Sequence, residues 1–243
     1  MSDDETDRLD ATITHLRTWI NGMLRRPGMY VPGPGGVQTG MTLLGDTLAI
    51  AEGRPDAWAV ELDGLKERGA WTPIGVTGAY HNVLGVQGPA PTALMFAACA
   101  YRLGWFDVER PLSPHEYAAV RAAVPGLTES DATGSSIIER FGPPSVQTSP
   151  GRWIHDSLLY LSRSASDPAI FFHFEPPPLG TNRSADRFRL LAAHIDQGAF
   201  FDGFTHTPHG RAVREASNED RQNQARAVVR KRTRQRERSK GSS

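Results

Sequence analysis

The chain has 243 residues, of which 39% are hydrophobic and 24 are glycine, a composition close to that of an ordinary globular protein. That balance excludes collagen-like, wholly disordered and disulfide-scaffold classes, and the single cysteine, Cys99, cannot form an internal disulfide. The formal net charge is zero, but residues 1–10 carry five acids against Arg8, whereas residues 211–240 carry eleven Lys/Arg against four acids. A basic tail on a mildly acidic body suits an anionic partner, or attraction to the body itself.

Residues 1–10 read as an acidic, solvated arm. Beyond it, Ile13, Leu16, Ile20, Met23 and Leu24 recur at 3-4 spacing and predict an amphipathic helix over about 10–26, stopped by Pro27 and Gly28. Further helices are expected over Met41–Glu52 and Trp58–Arg68. Residues 69–91 are rich in Gly and Pro and read as mostly loop. Ala93–Leu103 is apolar nearly all round, which predicts a central buried helix. The longest uninterrupted apolar run, Ala93–Tyr101, is nine residues, well short of the roughly 20 that a membrane-spanning helix needs. Ser113, Pro114 and Glu116 form a capping box ahead of Tyr117–Val124, with Pro125 and Gly126 expected to close that helix. Residues 128–141 give one more short helix, ended by Gly142.

The period then changes. Trp153–Leu161 and Ala169–Glu175 read as strands joined through the turn-rich Ser162–Pro168. Residues 186–196 fit either a helix or a strand, and the aromatic continuation through Phe200, Phe201 and Phe204 favours the strand. Residues 211–243 lack the apolar side chains needed to build a core, so a solvated helix or disorder is expected. The organisation is therefore α+β: an acidic arm at 1–10, an α-rich region at 11–127, an α+β region with a small antiparallel sheet at 128–210, and a basic C-terminal tail at 211–243.

The most distinctive string is Arg25-Arg26-Pro27-Gly28-Met29-Tyr30. It resembles the segment near the start of the ATPase domain of type II topoisomerase B subunits. The Asp-x-Gly-x-Gly motif and Gly-rich lid of that nucleotide site do not follow, and no phosphate-binding loop is present, so no cofactor is implied. The same string follows a short amphipathic helix and is accompanied by Phe141-Gly142-Pro143-Pro144-Ser145, by Trp153 ahead of two strands ending in Phe171–Phe174, and by Phe204 four residues before Pro208. Together these resemble small bacterial immunity or antitoxin-like proteins, the partners of polymorphic toxins. That resemblance implies a non-enzymatic binding protein that occludes a protein partner; the single cysteine points to a reducing, cytoplasmic setting, and the short apolar runs to no membrane involvement.

For that reading the candidate partner-binding residues are Arg25, Arg26 and Tyr30 of the string, together with Trp71, a tryptophan in the Gly/Pro-rich stretch. The other tryptophans, Trp19, Trp58, Trp105 and Trp153, read as core anchors. A second reading places nucleic acid on the tail, where Arg226, Arg230, Arg234 and Arg238 fall at four-residue steps beside Lys231. A third groups His155, His173, Glu175 and His194 as a metal or acid/base site, with a half-solvated polar sheet face as the plainer alternative. His206 and His209 lie in the same half. Cys99, inside the apolar helix, reads as core filler rather than a reactive thiol.

Overall fold

The computed structural model describes residues 3–31, 35–86, 88–130, 132–148, 157–175 and 188–240. Helix α1 spans Asp3–Arg25, so the acidic start is helical and the helix begins about two turns before the expected start near residue 10. Its apolar stripe packs Ile20, Met23 and Leu24 into the core. The single-turn α2 (Pro27–Tyr30) follows at once, with buried Pro27 at its first position, where the missing N–H costs nothing.

Helices α3 (Gly36–Ala51) and α4 (Ala57–Glu67) lie close to the expected ranges. The Gly/Pro-rich stretch is not mostly loop: it contains α5 (Gly75–Leu84), eight of whose ten residues are buried. Its glycines serve close approach rather than flexibility. A Cβ at Gly78 would sit 2.0 Å from the Thr72 hydroxyl oxygen. The Gln38 side-chain oxygen, reaching across from α3, accepts from the Val76 amide at 2.9 Å near the start of the helix. The central helix α6 (Pro89–Arg102) buries eleven consecutive residues, Ala90–Ala100.

Helix α7 (Pro114–Glu129) carries the capping box. The Ser113 hydroxyl accepts from the Glu116 amide, and Glu116 Oε2 accepts from the Ser113 amide at 2.8 Å. Replacing Ser113 by Ala is expected to cost about 1 kcal/mol, read as a lower urea midpoint at unchanged slope. Pro125 does not close this helix. Its ring removes one backbone bond, while Val124 just before it and Leu127 and Thr128 on the following turn remain buried. A second capping box, Thr133 with Ser136, opens α8 (Gly134–Phe141).

Among the described residues five strands form one antiparallel meander in the order β1 (Val146–Gln147), β2 (Ser157–Tyr160), β3 (Ile170–Glu175), β4 (Arg189–Ile195) and β5 (Phe204–His206). Residues 189–195 are thus strand, the favoured alternative. Alternate residues feed two cores. Leu159, Phe171 and Ala192 face the layer formed by α1 and α3–α6. Leu158, Tyr160, Ile170, Phe172, Leu190 and Ala193 face α7 and α8. Helices therefore cover both faces of an antiparallel sheet, which more often leaves one face to water.

Last comes α9 (Pro208–Lys240), a continuous helix of 33 residues. It starts at a buried cap: the Thr207 hydroxyl accepts from the Gly210 amide at 2.9 Å and donates to the Leu190 carbonyl at 2.8 Å. Among the described residues no helix is long and apolar enough to cross a membrane.

Candidate functional site

The Arg25–Tyr30 string forms a surface. The Arg26 amide donates to the Gly22 carbonyl at 2.9 Å, ending α1, and α2 then turns the chain back over it. Tyr30 settles on α1 where Gly22 leaves room; a Cβ there would be 2.5 Å from the Tyr30 hydroxyl oxygen. Its ring meets Trp19 edge-on, with centroids 5.4 Å apart and planes at 85°. The indole N–H of Trp19 donates to His15 Nε2 at 3.0 Å. Trp19 is 45% exposed, Tyr30 40% and Met29 70%, and Arg26 is exposed beside them.

The four partner-binding candidates thus separate. Tyr30 and Arg26 share this surface. Arg25 is engaged internally, with the Glu109 carboxylate at 2.7 Å and the Asp107 carbonyl at 2.5 Å, and lies over the Phe106 ring. Trp71 is half-buried against the main core, with the Lys66 ammonium 5.6 Å from its ring centroid. Trp19 and Met29 are the residues that sequence reasoning missed. Their signal was slight: Trp19 stands next to the apolar stripe of α1 rather than on it. Trp58 and Trp105 are core anchors as expected, and Trp153 lies outside the described residues.

The histidines of the sheet face inward. His173 and His194 are essentially unexposed under α5, so the half-solvated polar face does not exist at these positions. The His194 ring stacks on Phe204 at 4.1 Å and 6°, with Phe171 stacked at 5.3 Å. Tyr80 closes the group edge-on to His173 at 5.2 Å. Of the polar atoms, His173 Nδ1 pairs with the Ser157 hydroxyl at 3.0 Å. Tyr80 Oη, His173 Nε2 and both nitrogens of His194 have no partner among the described residues. Burial pushes the His194 imidazole down to about 3, and the Arg68 charge adds to the shift. Burial lowers His173 in the same direction, with His194 and His206 contributing.

Glu175 is engaged elsewhere, with its carboxylate 2.5 Å from His209 Nε2. His206 Nε2 lies 2.9 Å from the Val83 carbonyl. Among the described residues no three His, Cys, Asp or Glu side chains are grouped to hold a metal ion, and His155 lies outside those residues. Structure and sequence agree on Cys99: it is buried, its thiol is pushed strongly upward by burial, and Arg102 Nη2 donates to its sulfur at 3.3 Å.

An open cleft of about 300 Å³ lies between α4, the end of α6 and the β2–β3 connection, lined by Glu61, Arg68, Arg102, Asp167 and Asp196 among others. Four of these charges answer one another. Arg68 pairs with the buried Asp196 carboxylate, and Arg102 grips Glu61 at 2.6 Å while its Nη1 stands 3.8 Å from Asp196. This network ties α4 and α6 to the end of β4.

Of the tail candidates, Arg226 is exposed on α9. Arg230, Lys231, Arg234 and Arg238 lie on its helical backbone, their side chains outside the described residues.

No family model matches the chain, and neither a curated protein nor a solved structure matches it.

Proposed function

We propose that this chain is a non-enzymatic, cytoplasmic binding protein of the immunity or antitoxin kind, which occludes a protein partner with the α1–α2 surface. The observation that carries the reading is the exposed group of Trp19, Arg26, Met29 and Tyr30. Aromatic and arginine side chains held in place before binding lose little conformational freedom on association, and such residues dominate binding energy at protein interfaces. Trp19 is held by Tyr30 and His15, and Tyr30 by its seat over Gly22.

Charge suggests the character of the partner. Asp4, Glu5, Asp7 and Asp10 are exposed along the first turns of the same helix. Asp4, Arg8, His15 and Trp19 share one face of α1, where Asp4 pairs with Arg8 at 2.9 Å; Glu5 and Asp7 flank that face and leave the helix start net acidic, ~22 Å along the helix from Trp19. A partner with a basic patch beside an apolar pocket complements that face, and the acidic end steers its approach. Occlusion requires no catalytic group on this chain.

The test is capture from the native host with the full chain and with a Trp19→Ala/Tyr30→Ala variant, followed by affinity measurement on the captured protein. The expected result is one near-stoichiometric protein of basic pI whose affinity falls at least ~30-fold in the variant, while the variant's urea midpoint shows the fold intact. A partner held equally by both proteins would sink the proposal, as would a captured protein of acidic pI.

A further inference from the structure

The second half of α9 has a charge distribution that the proposed occlusion does not use. The helix divides in two. Its first half is docked and nearly neutral: Arg221 Nη1 donates to the Asn82 side-chain oxygen at 3.0 Å, Arg211 Nη1 donates to the His206 carbonyl at 2.8 Å, and His209 meets Glu175. At Gly85, which ends α5 with φ +73°, a Cβ would stand 2.9 Å from the Arg214 Cα, so backbone meets backbone there. From Gln222 onward the side chains of Gln222, Asn223, Gln224, Arg226 and Ala227 are exposed.

Residues 226–240 carry eight cations (Arg226, Arg230, Lys231, Arg232, Arg234, Arg236, Arg238 and Lys240) against Glu237 alone. On a helix turning ~100° per residue, Arg226, Arg230, Arg234 and Arg238 occupy one flank. Arg232, Arg236 and Lys240 occupy the opposite flank, leaving no gap around the axis wider than about 100°. The structure makes this arrangement meaningful, because the backbone is helical through Lys240.

We infer that residues 226–240 of α9 bind duplex DNA without sequence preference by lying in the major groove, with phosphates of the two walls answering the two basic flanks. A helix of ~10–12 Å diameter fits a groove ~12 Å wide, and the 15 positions extend ~22 Å along it. The distribution separates this ligand from the other anionic ones. A membrane surface rewards an apolar face opposite the charge, and the only apolar residues here are Ala227, Val228 and Val229. An acidic protein surface touches one flank and leaves the other idle. The major groove of duplex RNA is too narrow and deep to admit the helix. No aromatic residue lies in the segment, so single strands find no stacking platform.

The experiment uses the full chain and fluorescence anisotropy with two unrelated DNA duplexes of two helical turns, the duplex RNA of one of those sequences, and vesicles of anionic phospholipid. Two variants are compared, one with Arg226, Arg230, Arg234 and Arg238 changed to Gln, the other with Arg232, Arg236 and Lys240 changed to Gln. Both DNA duplexes are expected to bind within ~3-fold of each other, with affinity falling ~10³–10⁴-fold between about 50 and about 200 mM salt. Each variant is expected to weaken binding at least ~10-fold and to make the salt dependence shallower by roughly one log–log unit per cation removed. Urea midpoints unchanged in both variants show that the docked half and the body are intact. The inference is overturned by no DNA binding at low salt, by loss confined to one variant, or by tighter binding to the RNA or the vesicles. None of these outcomes touches Trp19 or Tyr30, so the occlusion proposal stands or falls separately.

Discussion

Acidification from about pH 7 to about pH 4 is expected to remove a large part of the folding stability. The unfolded chain takes up protons on its histidines near the ordinary value of 6.5, whereas folded His194 refuses one until about 3. Within that window the unfolded state holds more protons, so stability falls as pH falls, by about 1.4 kcal/mol per pH unit for each histidine kept neutral. His173 is shifted the same way by the same burial. At about pH 4 His194 alone is worth about 3 kcal/mol, a substantial share of an ordinary domain's 5–15 kcal/mol. Urea midpoints measured through the range check this. His194→Phe is expected to flatten the acid limb and to gain about 1–2 kcal/mol at neutral pH, because it removes two buried nitrogens that have no partner among the described residues. An acid limb as steep in that variant as in the parent would show that other groups carry the pH dependence.

Trp58→Ala is expected to be the most damaging single truncation, at about 3–5 kcal/mol. The Trp58 ring lies against the backbone of α3 at Gly45, where a Cβ would come within 2.5 Å of it. Phe96 on α6 and Trp105 just after it stand 5.7 and 5.9 Å away. One side chain therefore joins α3, α4 and α6, and no neighbour is placed to fill its volume without moving a helix. Trp58→Phe is expected to cost much less, since it keeps most of the ring and removes an indole N–H that has no partner among the described residues. Guanidinium unfolding of the two variants gives the comparison; a loss below about 1 kcal/mol for Ala would mean that the site collapses freely.

The α+β partition was legible because its strongest signals are local: the all-apolar Ala93–Leu103, the Ser113 capping box, and the change of period near residue 153. Helix α5 was not legible, because Gly78 looks like a loop former when read alone. Its purpose, letting Thr72 approach, depends on a tertiary neighbour. Pro125 misled for a related reason: the lost bond is offset by burial of Val124, Leu127 and Thr128 around it, which depends on tertiary neighbours. The ambiguity of residues 186–196 has a physical source. With helices on both faces of the sheet, β4 buries Leu190 through His194 without a break and shows no polar alternation.

The same burial turned His173 and His194 from candidate surface ligands into core residues. At the α1–α2 surface, Tyr30 and Arg26 could be picked out of an unusual string. Arg25 differs from Arg26 only in having Glu109 and Asp107 within reach, and a sequence cannot show that contact. Trp71, a tryptophan among glycines and prolines, looks exposed in the sequence, whereas its ring is half-buried with the core beneath it.

The meander ends in β1 and β5, strands of two and three residues, and α9 departs directly after the second. Short borders offer an incoming chain few free amide and carbonyl groups to pair with, which discourages edge-to-edge polymerisation between copies. They also narrow how any partner can engage this fold. Among the described residues, recognition by strand addition would gain only two or three residues' worth of ladder at either border, which favours the helical surfaces, read through side chains.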